Sequence, residues 1–395
     1  MKKILLGAAV AGLALASCVK NEANFDGLAG QKITFDSPVM YANEDTRANV
    51  YGEIGDQAGG GGVTYTYPSN ENFVIYAVSH NGDFAGWESA TAAIFNGEAI
   101  SYDNNVDGWA PKTSTGGYYY WENGKKMSFS ACSPADLEQK TECVRSYGAT
   151  GLIIENFEIA SDASKQYDLM FAKRTVNKTS ADMSHSANYY SGLPIVFQHA
   201  LTSVRFSVAN TAPETVILTD IKVRGVKYKG TFNENIDETG DNVALYDKTP
   251  TTGNVKPAWQ VENSIIENPY IAFQGSVQFL ESPRYVSQIV SEQGNSGICN
   301  QLLLMPQELT ESAEVEVHYT VNGSANTKIV PLKGLFTTKK VNNQEQQGEA
   351  IEKWEMGKRY TYRLFYSSAT ADKDKIYFAP SSEGWEDVDV IVVPL

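Results

Sequence analysis

From residue 31 onward, apolar residues occur in short runs, many alternating with polar ones, and clusters of Gly, Asn, Asp, Ser and Pro separate them. Successive side chains of a strand point to opposite faces, so a period of two predicts strands with one face turned toward a core. The clearest run is 314–321, where Val315, Val317, Tyr319 and Val321 take every second position and Asn322-Gly323 follows. Asn-Gly tolerates the positive φ values of a two-residue hairpin turn, and it is the strongest short-range hairpin signal. Asn81-Gly82, Asn96-Gly97 and Asn123-Gly124 predict further tight turns of this kind. Other expected strands are 63–67, 73–78, 118–121, 127–131, 152–159, 201–208, 216–223, 360–365 and 388–393. Helix signals are scarce, the best being 133–138, with Ser133 as a cap and Pro134 at the first helical position. The pattern predicts an all-β chain with at most one or two short helices.

A length of 395 residues suggests two or three domains. The polar break Asn210-Thr211-Ala212-Pro213-Glu214-Thr215 between two strand runs is the best boundary, giving tandem β-sandwiches over 48–212 and 213–395. Residues 1–17 read as a secretory signal: Lys2 and Lys3 precede an apolar stretch, 4–16, that is too short for a membrane span. The junction Leu15-Ala16-Ser17-Cys18 resembles the lipobox of bacterial lipoproteins. That likeness implies cutting by a lipoprotein signal peptidase, lipidation of Cys18 with diacylglycerol and a further acyl chain such as palmitate, and outer-membrane attachment through lipid alone. The formal charge of −15, from 32 bases against 47 acids, excludes a nucleic-acid partner, which requires a basic surface.

Three cysteines remain beyond Cys18, namely Cys132, Cys143 and Cys299, an odd number without CxxC or zinc spacing. They read as small buried hydrophobes, with a Cys132–Cys143 bridge left open. No nucleophile elbow, HExxH, P-loop or GxGxxG is present, and the glycines 59–62 precede a strand rather than a helix. His199 reads as a hydrogen-bonded structural residue. The run Asp103-Asn104-Asn105-Val106-Asp107-Gly108 matches the first half of an EF-hand loop, but Ser114 stands where a bidentate Glu is needed, so an ordinary turn is expected and calcium stays open. Asp387 and Asp389 alternate along one strand and suit a solvated edge. No catalytic residue, no resident metal and no cofactor apart from the acyl chains is expected; a glycoside-processing enzyme is a remote third reading, because nothing selects a carboxylate pair.

The chain resembles the fimbrillin family, the type V pilins and fimbrillin-like lipoproteins of the Bacteroidota. The residues that carry the likeness are Ile33-Thr34-Phe35 before Thr46-Arg47-Ala48; Phe73-Val74-Ile75-Tyr76-Ala77; Tyr120-Trp121 with Met127-Ser128-Phe129-Ser130-Ala131 and Pro134; Asp168-Leu169-Met170-Phe171-Ala172; Val196-Phe197-Gln198-His199-Ala200-Leu201; Leu303-Leu304-Met305-Pro306-Gln307; Trp354-Glu355-Met356-Gly357-Lys358-Arg359-Tyr360; and Ile376-Tyr377-Phe378 before Trp385. Each is weak alone; their order over nearly the whole chain carries the resemblance.

The resemblance implies transthyretin-like sandwiches and a structural subunit of a cell-surface fimbria that contributes to adhesion. It implies that an Arg-specific protease cuts between Arg47 and Ala48, removing the propeptide 18–47 with its strand 33–41. The opened groove would take a donor strand from another copy or another pilin, forming a homo-polymer or mixed fibre. The expected donor is the C-terminal run, with Val388, Val390 and Val392 on one face and Ile391 and Val393 on the other. A core strand of the chain's own sheet would read the same way. The alternative is an uncleaved surface lipoprotein acting as tip adhesin or anchor, which would bind a host or glycan ligand through exposed aromatics such as Trp87, Trp109 and Tyr118.

Overall fold

The computed structural model describes residues 32–35, 39–40, 65–66, 71–84, 92–105, 108–113, 116–148, 151–172, 175–180, 193, 195–237, 243–245, 255–294, 297–341, 344–367 and 386–391. Within them the chain is all-β, with two short α-helices, α1 (Leu137–Lys140) and α2 (Val286–Glu292). No described helix is long and apolar enough to cross a membrane.

The run 314–321 forms the strand Glu314–Val321, and Asn322 and Gly323, at φ 49° and 85°, turn it into Ser324–Pro331 as the hairpin signal requires. Asn96-Gly97 corrects the expectation of a turn, because it lies inside the strand Ala92–Asp103. There Ile75 pairs with Glu98 and Tyr76 with Asn96, so Gly97 is the extra residue of a β-bulge. The helix expected at 133–138 is also displaced. Ser133 and Met170 are partners in a strand ladder, which removes Ser133 as a cap, and α1 starts three residues after Pro134 with Asp136 at its N-cap.

A nine-stranded sheet forms the first half of the molecule. Its main path runs Tyr65–Thr66, Val39–Met40, Val196–His199, Met170–Ala172, Lys126–Ser133, Phe73–His80, Ala92–Asp103 and Gly108–Ala110, with Thr175–Lys178 added on Lys126–Ser133. The sheet is covered on both faces, which explains why all of Phe73–His80 is buried. Phe73, Ile75 and Ala77 enter one apolar cluster together with Phe129, Ala131, Met170 and Ala172. Their alternating neighbours Val74, Tyr76, Cys132 and Phe171 enter a second cluster. Phe171 meets Phe232 at 5.0 Å between ring centroids, where the sheet packs on a five-stranded one made from Val144–Gly148, Gly151–Glu158, Lys229–Asp237, Val255–Val261 and Val243–Leu245.

The first cluster draws only on residues 33–197, whereas the second extends from Val74 to Leu364. It continues between a seven-stranded sheet, centred on Thr202–Asn210 and its parallel partner Lys358–Tyr366, and a second five-stranded sheet containing Tyr270–Gln278, Val216–Arg224 and Glu314–Val321. The polar break at 210–215 is the passage from one of these sheets to the other. Two sheets thus take strands from both sides of residues 212 and 213.

Candidate assembly site

Residues 32–35 thread into the first cluster between strands from distant parts of the chain. Ile33 donates its N–H to the Tyr119 carbonyl (2.8 Å), and Phe35 exchanges both backbone bonds with Trp109 (2.7 and 2.9 Å). On the opposite side Leu193 donates to the Thr34 carbonyl (2.9 Å), and Val39–Met40 runs parallel to Val196–His199. Tyr65–Thr66 then pairs antiparallel with Val39–Met40. Ile33 and Phe35 are fully buried, at 0 % exposure. The Phe35 ring stands edge-on to Phe129 at 5.6 Å and to Phe73 at 6.5 Å, the arrangement that a ring quadrupole favours. The segment therefore fills a slot in the core and satisfies backbone groups along both walls.

Lys32 closes the start of this slot, its ammonium 3.9 Å over the Tyr118 ring, with Lys112 at 3.5 Å from the same ring. The Tyr118 hydroxyl donates to Asp103 (2.5 Å), the Lys112 ammonium pairs with the same carboxylate, and Asn105 donates from both backbone and side-chain nitrogen (2.9 Å each). The hydrogen bond from Lys112 above all, then those from Tyr118 and Asn105, hold the Asp103 carboxyl well below the usual carboxylate range. Asp103 is thus committed to an ammonium, a phenol and a turn. Asp107 lies outside the described residues, among which no cluster of three His, Cys, Asp or Glu gathers.

Trp109, expected as an exposed ligand contact, is instead 1 % exposed and packs on Phe73 and Tyr102, because its strand lies over the first cluster. Tyr118 is half-buried under the two lysines, and Trp87 lies outside the described residues. His199 is buried, and its Nδ1 lies 2.8 Å from Asp168, a carboxylate that the ladder between Val196–His199 and Met170–Ala172 brings to it. Cys132 and Cys143 are buried free thiols; burial pushes Cys132 up to about 12 and Cys143 upward as well.

At the other end of the chain, the strand Glu386–Ile391 lies in the seven-stranded sheet, parallel to Lys358–Tyr366 and antiparallel to Phe336–Val341. Val388 is in register with the buried Tyr360, Val390 with Thr337 and Ile391 with Phe336. Asp387 and Asp389 are in register with Arg359 and Thr361. Asp387 and Asp389 have their ladder partners on one side, in Lys358–Tyr366, and the pairing with Phe336–Val341 is made by Val390 and Ile391. Cys18, Arg47, Ala48, Val392 and Val393 lie outside the described residues.

Residues 63–377 match the model of the fimbrillin-like family. No curated protein sequence matches the chain. Among solved structures, a candidate cell adhesion protein of Bacteroides uniformis is 13 % identical, with 92 % of this chain and 98 % of that one covered and a TM-score of 0.39. A candidate cell adhesion protein of Bacteroides ovatus is 13 % identical over 93 % of this chain and 100 % of that one, TM-score 0.43. The C-terminally truncated tip fimbrial protein Mfa3 of Porphyromonas gingivalis is 10 % identical over 82 % and 94 %, TM-score 0.29. The assignment rests on the family match, which spans most of the sequence: the chain belongs to the fimbrillin-like family.

Proposed function

We propose that the chain is a structural subunit of a surface fimbria, exported as a lipoprotein on Cys18, cut between Arg47 and Ala48 and polymerised by donor-strand exchange. The observation that carries this reading is the slot around segment 32–40. Its walls are strands far away in sequence, and Arg47 follows Met40 by a short connection. Removing the segment would strip hydrogen-bond partners from Trp109, Tyr119, Leu193 and the 196–197 backbone and empty the volume of Ile33 and Phe35. Unpaired strand edges beside an apolar cavity are a strong template for an incoming strand. Residues 388–393, β-branched at nearly every position, have the composition to fill it. For exchange, this run must leave the sheet that holds it within its own chain. Residues 1–47 carry as many acids as bases, so the cut chain keeps its negative charge, which opposes random association.

The test is the N-terminus of the protein recovered from the cell surface, read by mass spectrometry of the intact chain and its first peptide. A free Ala48 supports the polymerising subunit, and deletion of 389–395 should then abolish polymers while leaving a folded monomer. Polymers of normal length from that deletion count against it. The zero exposure of Ile33 and Phe35 favours a second reading, in which the segment stays in place and the protein acts as a tip adhesin or anchor. An acylated Cys18 on the mature surface population would select that reading.

A further inference from the structure

A cavity of about 340 Å³ lies between Thr202–Asn210 and Tyr270–Gln278, with α2 forming one wall. That volume falls in the lower part of the range for small-molecule sites, roughly 300–1,000 Å³. The cavity sits where the outer edge of Thr202–Asn210 changes partner. Thr202, Ser203 and Val204 pair with Leu304, Leu303 and Leu302, whereas Ser207 and Val208 pair with Tyr285 and Arg284. Arg205 and Phe206 fall between these two ladders, with no ladder partner on that edge among the described residues.

Alternation along the strand decides which of the two turns its N–H into the break. Leu303 sends its N–H away from Thr202–Asn210, to Gln166 Oε1 (2.8 Å), so the rungs of the first ladder join Leu302 to Val204 and Leu304 to Thr202. Asn210 also donates outward, to the Leu280 carbonyl (2.7 Å), and Thr211 donates to the other side, to the Tyr366 carbonyl (3.0 Å). With a period of two, Phe206 belongs to the outward set. Asn300, next in line after Leu302, gives its backbone N–H to the Ala272 carbonyl (2.8 Å) and its side-chain amide to the Ile271 carbonyl (3.1 Å), both in the facing sheet. The ladder thus opens between Phe206 and Asn300, and both residues line the cavity.

The lining is graded from apolar to polar. Ile221, Ala272, Phe273 and Val286 are buried at its inner end, and Ser287, Gln288 and Gln301 are exposed at the rim. Arg205 is taken up within the fold: Nε donates to the Thr361 hydroxyl (2.8 Å), Nη2 donates to the Tyr285 hydroxyl (3.0 Å), and the side chain has a further interaction besides. It serves as wall, and no acidic side chain lines the cavity. Such a lining suits a neutral molecule with a small apolar group, an acceptor beside it and hydroxyl groups at the outer end. An acetamido group on a sugar ring presents methyl, carbonyl oxygen and hydroxyls in that order.

We propose that this cavity binds an N-acetylated aminosugar of monosaccharide size, its acetamido oxygen accepting from the Phe206 N–H, its methyl group against Ala272 and Phe273, and its hydroxyl groups on Ser287, Gln288 and Gln301. The site uses nothing from the 32–40 slot, so the fate of the strand-exchange reading does not decide it.

The experiment is a titration of the whole chain, carrying isotope-labelled phenylalanine and observed by amide correlation NMR, with the Phe206 signal assigned by its loss in Phe206→Leu. N-acetylglucosamine is expected to move that signal saturably, with a Kd in the millimolar range. Glucose, which lacks the acetamido group, and N-methylacetamide, which lacks the ring, should each bind about tenfold or more weakly. Ser287→Trp, at an exposed rim position, should abolish the shift while leaving the fold intact; if that variant does not fold, the comparison of the three compounds decides the matter. A Phe206 signal unmoved at about 50 mM N-acetylglucosamine, equal binding of glucose, or indifference to Ser287→Trp would overturn the proposal. Equal binding of N-methylacetamide would overturn it in favour of a simple amide site.

Discussion

Phe35→Ala isolates the contribution of the threaded segment to the first core. The ring is fully buried, stands edge-on to Phe73 and Phe129, and sits where the backbone is bonded to Trp109 and bridged to Leu193. Truncating a buried Phe removes its transfer free energy and leaves a cavity, together about 3–5 kcal/mol. In urea unfolding of the chain expressed without residues 1–17, this should lower the midpoint by about 1–2 M for a slope near 3 kcal/mol/M. Phe336→Ala is the matched control, because Phe336 is 39 % exposed and the same truncation should cost less than about 1 kcal/mol. If the two variants shift the midpoint equally, the segment does not hold the first core together, and the slot argument falls with it.

Gly225→Ala should be severe, since φ is +69° and a Cβ there would stand 1.7 Å from the Ser312 carbonyl oxygen; a loss above about 3 kcal/mol is expected in thermal or urea melts. Gly294→Ala, at φ +64° with open space around it, should cost only about 1 kcal/mol. Asp103→Asn should destabilise at neutral pH and progressively less in acid. The folded carboxyl titrates below its unfolded value, so its contribution is complete above the unfolded value and is lost as pH falls through the folded one; parallel stability curves down to pH about 2 would refute it. In a chain starting after Cys18, a thiol reagent at pH 8 should modify Cys132 and Cys143 only as fast as the protein unfolds, with Cys299 intermediate, as their burial dictates. Labelling of Cys132 at the rate of a free peptide thiol would show that its side of the sheet is open.

Local patterning carries information about local structure, and here it was legible. The alternation of Val315, Val317, Tyr319 and Val321 with Asn322-Gly323 determined a hairpin, because strand pleat and turn dihedrals depend on neighbours in sequence. The same reasoning misread Asn96-Gly97, since a bulge and a turn demand the same glycine and only the partner strand tells them apart. It also took Trp109 for a surface aromatic, because burial is a property of what packs from elsewhere. The seam residues Ile33 and Phe35 were visible as an apolar pair in a short strand, but their walls, Trp109, Tyr119 and Leu193, are set by closure of loops many residues long. The cavity around Arg205 left no mark in the sequence at all. Arg205 belongs to Thr202–Asn210, Tyr285 to the paired residues before α2, and Cys299 to a strand added on Tyr270–Gln278. By itself the sequence determined an all-β chain, its main turns and its family resemblance, all of which follow from side-chain period and residue type. Which strands became neighbours, and so which side chains line the slot and the cavity, was decided by tertiary pairing, whose energy comes from contacts that no local window contains.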